Sequence, residues 1–198
     1  MTMGLSPFSD VLARVSEIET MVASAVPQPV QQVPAASSPP TFASLLSAVQ
    51  TPGDAGENTV AAAASQVGAA EEPPGSNDGP QIAAYRSAVA GAQAGEPWCA
   101  YFASWACAQA GTPLGFSGEG LGSVSQITSW AQATGRYLPA GSTPEPGDLI
   151  LFGDQHVGVV EAVNPDGSLT TIEGNYDNQV SQVHRMPGEA TGYVRPSA

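Results

Sequence analysis

The chain has 198 residues, which is enough for one ordinary domain with its own core and leaves little room for a second full domain. Its formal net charge is -13, from 18 acidic and 5 basic residues, and such a chain repels nucleic-acid backbones and anionic membranes. Glycine and proline, with 22 and 18 residues, are too frequent for a compact fold throughout. We therefore expect one domain with a linker-containing tail and no nucleic-acid partner.

The segment 1–56 is predicted to be that tail. Ser6-Pro7 is typical of a helix start, and apolar residues recur at helical spacing from Phe8 to Val22. A flexible proline-rich linker over 27–40 follows, and a second short amphipathic pattern runs from Phe42 to Val49. Two such helices bury little by themselves, so they either fold back onto the domain or dock on a protein partner. The sequence favours neither alternative.

The beginning of the chain lacks the features of an export signal. It has no segment rich in Lys or Arg, its apolar runs are short, and Asp10, Glu17 and Glu19 interrupt the first amphipathic pattern. We expect neither a Sec signal peptide nor a transmembrane span. If the protein works outside the cytoplasm, it needs non-Sec export or delivery by an assembly.

From residue 57 onward, helical patterns come first and strand patterns second. Helical spacing covers 60–67, 80–91, 97–110 and 123–134. Short β-type runs cover 149–152, 157–163, 169–172, 180–183 and 193–194. This order predicts the α+β class, with helices packed on a small antiparallel sheet.

The two cysteines, Cys99 and Cys107, fall on one predicted helix. At a rise of ~1.5 Å per residue their Cα atoms are about 12 Å apart, too far for a disulfide. No C-x-x-C pair is present, so the sequence gives no zinc framework. Cys99 begins the helix, where free N–H groups and the positive dipole end stabilise a thiolate. It is the candidate nucleophile, although position alone also fits a buried core thiol, which is our interpretation of Cys107.

The candidate bases are the two histidines, His156 and His184. His156 stands at the start of a predicted strand. His184 lies in the strand-like run 180–185, where local pairing places no carboxylate beside it. A lone histidine is more often structural, so its neighbours must decide between the two.

The neighbours of His156 follow from a predicted hairpin. If Val163 pairs with Ser168, His156 faces Asn175 directly and has Glu173 as its diagonal neighbour on the same face of the sheet. Both side chains then reach the imidazole. They can orient it and stabilise its charge, as the third group does in any Cys-His site.

Four segments of the chain, in this order, resemble the signature blocks of the CHAP family. This is the cysteine, histidine-dependent amidohydrolase/peptidase group, which is related to the NlpC/P60 peptidases. The segments are Pro97-Trp98-Cys99-Ala100-Tyr101-Phe102, Pro146-Gly147-Asp148-Leu149-Ile150-Leu151-Phe152, His156-Val157-Gly158-Val159-Val160-Glu161 and Ile172-Glu173-Gly174-Asn175. The resemblance extends from about Asn58 to the C-terminus. It implies a papain-like catalytic domain over 57–198 and bacterial peptidoglycan as the substrate.

The resemblance also implies roles for single residues. Cys99 would be the nucleophile, His156 the base that then protonates the leaving amine, and Glu173 the group that orients it, with Asn175 in support. The bond cut stays open between one within the stem peptide (endopeptidase) and the muramoyl-L-alanine bond (amidase). Some members of the family bind calcium through an acidic loop ahead of the cysteine. The segment 75–79 lacks alternating aspartates here, so we expect no metal and no cofactor.

A second reading belongs to a different functional class. The same fold could serve as a non-catalytic docking or assembly component of a cell-surface or phage-like structure, with the amphipathic tail as its working part. The presence of Cys99, His156 and Glu173 favours the enzyme. In either case we expect a bacterial protein that acts at the cell wall.

Overall fold

The computed structural model describes residues 55–198, so the two tail helices and the linker over 27–40 predicted from the sequence lie outside the described residues. In this part of the chain, helices precede strands, which confirms the α+β prediction. The helices are α1 (Ala55–Ala64), α2 (Pro80–Arg86), α3 (Cys99–Gln109) and α4 (Val124–Thr134). The strands are β1 (Tyr137–Pro139), β2 (Leu149–Phe152), β3 (His156–Val163), β4 (Leu169–Tyr176), β5 (Gln179–Arg185) and β6 (Gly192–Val194).

The helix ends follow local sequence signals. The Ser123 side chain caps α4 by accepting a hydrogen bond from the Gln126 backbone N–H, and Gly135 ends the helix in the left-handed conformation at φ 74. Helix α1 begins at Ala55 and ends at Ala64, earlier at both ends than predicted. The chain then turns so that the Gly68 N–H can donate to the Val180 carbonyl of β5.

The six strands form one antiparallel sheet in the order β1-β6-β2-β3-β4-β5. Strand β1 was not predicted, because three residues ending in a proline give no periodic signal. It lies at one edge of the sheet, where Tyr137 pairs with Val194. Pro139 has no N–H to donate, and an edge strand tolerates this because one of its sides has no partner strand. A short 3-10 turn, Pro187–Glu189, connects β5 to β6.

The β3-β4 hairpin differs from its predicted form at the turn. Val163 pairs with Leu169, so the predicted closure of Val163 on Ser168 is wrong. An irregularity after Val160 shifts the pairing by one residue, and this bulge restores the predicted register toward the start of β3. The pairs on that side are Val159 with Ile172 and Val160 with Thr171.

Helix α3 packs on strands β3 and β4 and so fixes where its N-terminus lies. Phe102 of α3, Val157 of β3 and Ile172 of β4 belong to one buried cluster on this face of the sheet. At Gly174, an added Cβ would lie 2.5 Å from Cβ of Phe102. The glycine therefore allows the helix to approach the sheet closely. Among the described residues, no helix is long and apolar enough to cross a membrane.

Candidate active site

Cys99 is the first residue of α3 and follows the N-cap residue Trp98. The Phe102 N–H donates to the Trp98 carbonyl at 2.9 Å and closes the first helical turn. The N–H of Cys99 therefore has no partner within the helix and points beyond its N-terminus. Cys99 is buried, with 6% of its surface exposed, and it is one of the residues that line a cleft.

His156 lies between the thiol and a buried carboxylate. Its Nε2 atom is 2.8 Å from Oε2 of Glu173, whose side chain is fully buried. The side chain of Cys99 also acts on the imidazole and raises its pKa. Since Nε2 is engaged by Glu173, Nδ1 is the ring nitrogen that can exchange a proton with the Cys99 sulfur. The structure thus brings Cys99, His156 and Glu173 together, as the sequence predicted.

The protonation of the pair is set by opposing effects. Burial alone would lower the pKa of His156, but the hydrogen bonds and charges of Cys99 and Glu173 outweigh it and raise this pKa from 6.5 to about 9. Burial would raise the pKa of Glu173, yet its hydrogen bonds to Arg185, His156 and Thr171 lower it to about 2. At neutral pH the pair is therefore a carboxylate and an imidazolium.

The other cysteine and the other histidine lie elsewhere. Both cysteines are free thiols, and Cys107 is fully buried in the interior of α3, where burial raises its pKa to about 12. His184 is exposed on β5 and pairs with Thr170, which places it on the opposite face of the sheet from Glu173. Neither side chain is part of the cluster around His156.

A cleft of about 650 Å³ opens beside Cys99. Three carboxylates line it, from Glu96, Glu119 and Asp154, and the described residues that line it include no Lys, Arg or His. The Tyr101 hydroxyl donates a hydrogen bond to Glu96 in its wall. The wall of the cleft beside Cys99 is therefore acidic.

Residues 91–175 match the family model of the CHAP domain. The chain carries a CHAP domain. Comparison with the curated proteins and with the solved structures gave no match. The match includes Cys99, His156, Glu173 and Asn175, and it agrees with a place in the NlpC/P60-like superfamily. A CHAP domain indicates a peptidoglycan hydrolase of the amidase or peptidase kind.

Beyond the matched segment, Arg185 of β5 completes the cluster of the CHAP domain. Its Nε atom donates to Oε1 of Glu173 at 2.8 Å, and its Nη2 atom donates to Oε2 at 2.7 Å. The Thr171 hydroxyl also donates to Oε1, at 2.7 Å. The sequence analysis missed both residues. Arg185 carried a usable signal, because it is one of only five basic residues and ends a strand beside β4.

Asn175 occupies a different position from the predicted one. Its φ of 58 interrupts the β4-β5 pairing, and its side chain turns toward the start of α3 instead of the imidazole. In the amide orientation that satisfies both polar atoms, it accepts from the Trp98 N–H at 3.1 Å and donates to Glu71 at 3.2 Å. The prediction that Asn175 faces His156 is therefore corrected. Its contacts hold Trp98, the residue that precedes Cys99.

Glu71 is the common partner in this second cluster. It is buried, and its Oε1 atom accepts from the Trp98 indole N–H at 2.9 Å, while Oε2 accepts from the Asn77 N–H at 3.0 Å. The carboxylate is thus satisfied by neutral donors from three segments of the chain. No group of three or more His, Cys, Asp or Glu side chains in residues 55–198 is arranged to hold a metal ion.

Proposed function

We propose that this protein is a cysteine amidohydrolase that cleaves amide bonds of bacterial peptidoglycan, with Cys99 as nucleophile, His156 as acid and base, and Glu173 as the group that orients His156. The observation that carries the proposal is the position of His156, which contacts the Cys99 thiol on one side and a buried carboxylate on the other. A docking role alone would not require this arrangement.

The first half of the reaction forms an acyl-enzyme. With the proton of the Cys99 thiol held on Nδ1 of His156 as imidazolium, the thiolate sulfur attacks the carbonyl carbon of the scissile amide. The carbon–nitrogen bond then breaks, and His156 gives its proton to the departing amine. Glu173 stabilises the imidazolium throughout, because its carboxylate is ionised and hydrogen bonded to Nε2.

The second half restores the enzyme. Neutral His156 takes a proton from a water molecule, whose oxygen attacks the thioester carbon and releases the acid product. The sulfur leaves as a thiolate, and His156 keeps the proton taken from water, which restores the starting imidazolium. The N–H of Cys99, which has no partner within its helix, is placed to donate to the oxyanion that forms in each half.

The site of action that fits this chemistry is the bacterial cell wall. For delivery to this site we propose non-Sec export or carriage by an assembly. A protein partner for the predicted tail helices would serve that delivery and would leave the cleft free for peptidoglycan.

Mass spectrometry of muropeptides tests the proposal. Purified peptidoglycan fragments are incubated with the full chain and with the Cys99→Ser variant. Products that gain one water by cleavage within the stem peptide indicate an endopeptidase, and free stem peptides with an intact N-terminal L-alanine indicate an amidase. Either product must require Cys99. Unchanged fragments under conditions where the protein is folded would contradict the proposal.

A further inference from the structure

Arg185 and His156 contact the same atom. Nη2 of Arg185 lies 2.7 Å from Oε2 of Glu173, and Nε2 of His156 lies 2.8 Å from that oxygen. Two groups that can both carry positive charge thus share one acceptor on a fully buried side chain. The charge of the carboxylate is therefore divided between them.

Several contacts fix the guanidinium in this position. It lies over the ring of Phe152 at 4.5 Å and near the ring of Tyr176 at 5.2 Å. Its Nη1 atom donates to Glu189 at 3.2 Å. The same two rings lie next to the imidazole, with ring centroids at 5.7 Å for Phe152 and 6.4 Å for Tyr176. Arg185 and His156 therefore share their aromatic surroundings as well as their acceptor.

The electrostatic consequence follows from the groups around Glu173. The titratable and charged groups of this cluster are Cys99 of α3, His156 of β3, Glu173 and Tyr176 of β4, Arg185 of β5 and Glu189 of the 3-10 turn. Arg185 is the permanent cation in this set, and only 16% of its side chain is exposed, so solvent screens it weakly. It repels a proton on His156 and at the same time holds the carboxylate that attracts this proton.

We propose that Arg185 is a positioning residue of this site, which fixes the Glu173 carboxylate against the imidazole and limits how tightly that carboxylate holds the imidazolium. The limit matters for turnover, because His156 must become neutral to activate water in the second half of the reaction. This catalytic consequence rests on the proposed function, whereas the electrostatic coupling does not.

NMR titration of the imidazole in the full chain tests the coupling without any hydrolysis assay. A His184→Gln background leaves His156 as the one histidine signal. In Arg185→Gln, Glu173 keeps His156 and Thr171 as partners and stays ionised. Loss of the cation should therefore move the titration midpoint of His156 to higher pH by about one pH unit. Arg185→Lys keeps the charge and should leave the midpoint near its original value.

Arg195→Gln is the matched control. Arg195 forms the same two-point contact with a buried carboxylate, from Nε and Nη2 to Asp148 at 3.0 and 2.9 Å, and Asp148 is not a partner of His156. It should lower the melting temperature without moving the His156 midpoint. An unmoved or lowered midpoint in folded Arg185→Gln would overturn the proposal, because a purely structural arginine would behave like Arg195.

A measurement on the unsubstituted protein covers the case in which Arg185→Gln does not fold. The Nε–H signal of Arg185 should shift with the titration of His156, and the Nε–H signal of Arg195 should not. An Arg185 signal whose chemical shift stays constant during the titration of His156 would also overturn the coupling. In active protein, Arg185→Lys should lower kcat more than it raises KM. If the original protein hydrolyses nothing, the proposed function fails while the titration still decides the role of Arg185.

Discussion

Gly158 lies beside Glu173 in the β3-β4 ladder, and a Cβ atom at Gly158 would lie 2.7 Å from Cγ of the glutamate. Because Gly158 has no side chain, it leaves the space that Glu173 occupies as it reaches His156. Backbone strain does not explain this glycine, since its φ lies outside the left-handed region. The geometry of the His156–Glu173 pair therefore depends on a residue without a side chain.

The first prediction concerns that space. Gly158→Ala should displace Glu173 and lower kcat/KM by about a hundredfold, the loss expected for a misplacement near 1 Å. The matched control is Gly188→Ala, because an added Cβ at Gly188 meets nothing within 4 Å. Steady-state kinetics on a muropeptide substrate measures both. Equal rates for the two variants would show that Glu173 does not need this room.

The second prediction separates the two cysteines. Cys99→Ser should remove hydrolysis, by at least about a thousandfold, with folding preserved, because a serine hydroxyl is far less ionised than a thiol at a helix start. Cys107→Ala should retain most of the activity. Mass spectrometry after brief iodoacetamide treatment should find the label on Cys99, since burial raises the pKa of Cys107 to about 12. Rapid labelling of Cys107 would reverse the assignment.

The third prediction separates the two histidines. His156→Ala should lower kcat by about 10²- to 10⁴-fold, the usual contribution of a general acid and base. Glu173→Gln should lower it by at least about tenfold without unfolding the domain, because the amide keeps the shape and loses the charge. His184→Ala, on the opposite face of the sheet, should have little effect. Inactivity of His184→Ala with activity of His156→Ala would refute the assignment of Glu173 as well.

The fourth prediction concerns pH. The pKa of His156 is raised from 6.5 to about 9 by Cys99 and Glu173 against the effect of burial, so the folded state binds this proton more tightly than the unfolded state. The resulting stabilisation is complete below pH 6.5 and is lost as the pH rises through about 9. Urea unfolding across this window should show a falling free energy of unfolding in the original protein. The fall should be smaller in His156→Gln and unchanged in His184→Gln.

The sequence predicted the elements with strong periodicity and missed those that depend on distant contacts. Helix α4 was predicted over 123–134 and is observed over Val124–Thr134, and strand β2 was predicted at its observed bounds. Strand β1 exists because β6 pairs with it, and no local pattern records that pairing. For the same reason the sequence marked Arg185 only as a rare basic residue at the end of a strand-like run, and its contact with Glu173 across the β4-β5 pairing emerges only in the structure.

The Glu-Gly-Asn segment shows a subtler limit of the sequence argument. Alternation along an ideal strand places Glu173 and Asn175 on one face, and Glu173 does reach His156 as predicted. Asn175 departs from that face because its positive φ breaks the alternation. A left-handed asparagine has no sequence signal that distinguishes it from an extended one, so the contact with Trp98 emerges only in three dimensions.

The fifth prediction concerns the tail. A chain that begins at residue 55 should fold and hydrolyse small muropeptides like the full chain, since no candidate catalytic residue precedes it. The cut must spare Gly56, because a Cβ at Gly147 would lie 2.3 Å from Cα of Gly56, so the two backbones are in close contact. Circular dichroism and the muropeptide assay measure the outcome. Failure of this shorter chain to fold would show that the tail belongs to the core.

The bulge after Val160 makes the length of the β3-β4 turn independent of the active-site register. The turn uses one residue more than the four-residue loop that the sequence predicted, and the bulge removes the mismatch before the strands reach His156 and Glu173. A chain with a turn one residue shorter and no bulge would align His156 and Glu173 in the same way. The turn can therefore gain or lose residues during divergence, and it is a natural place to insert a label or a wall-binding peptide without altering the chemistry.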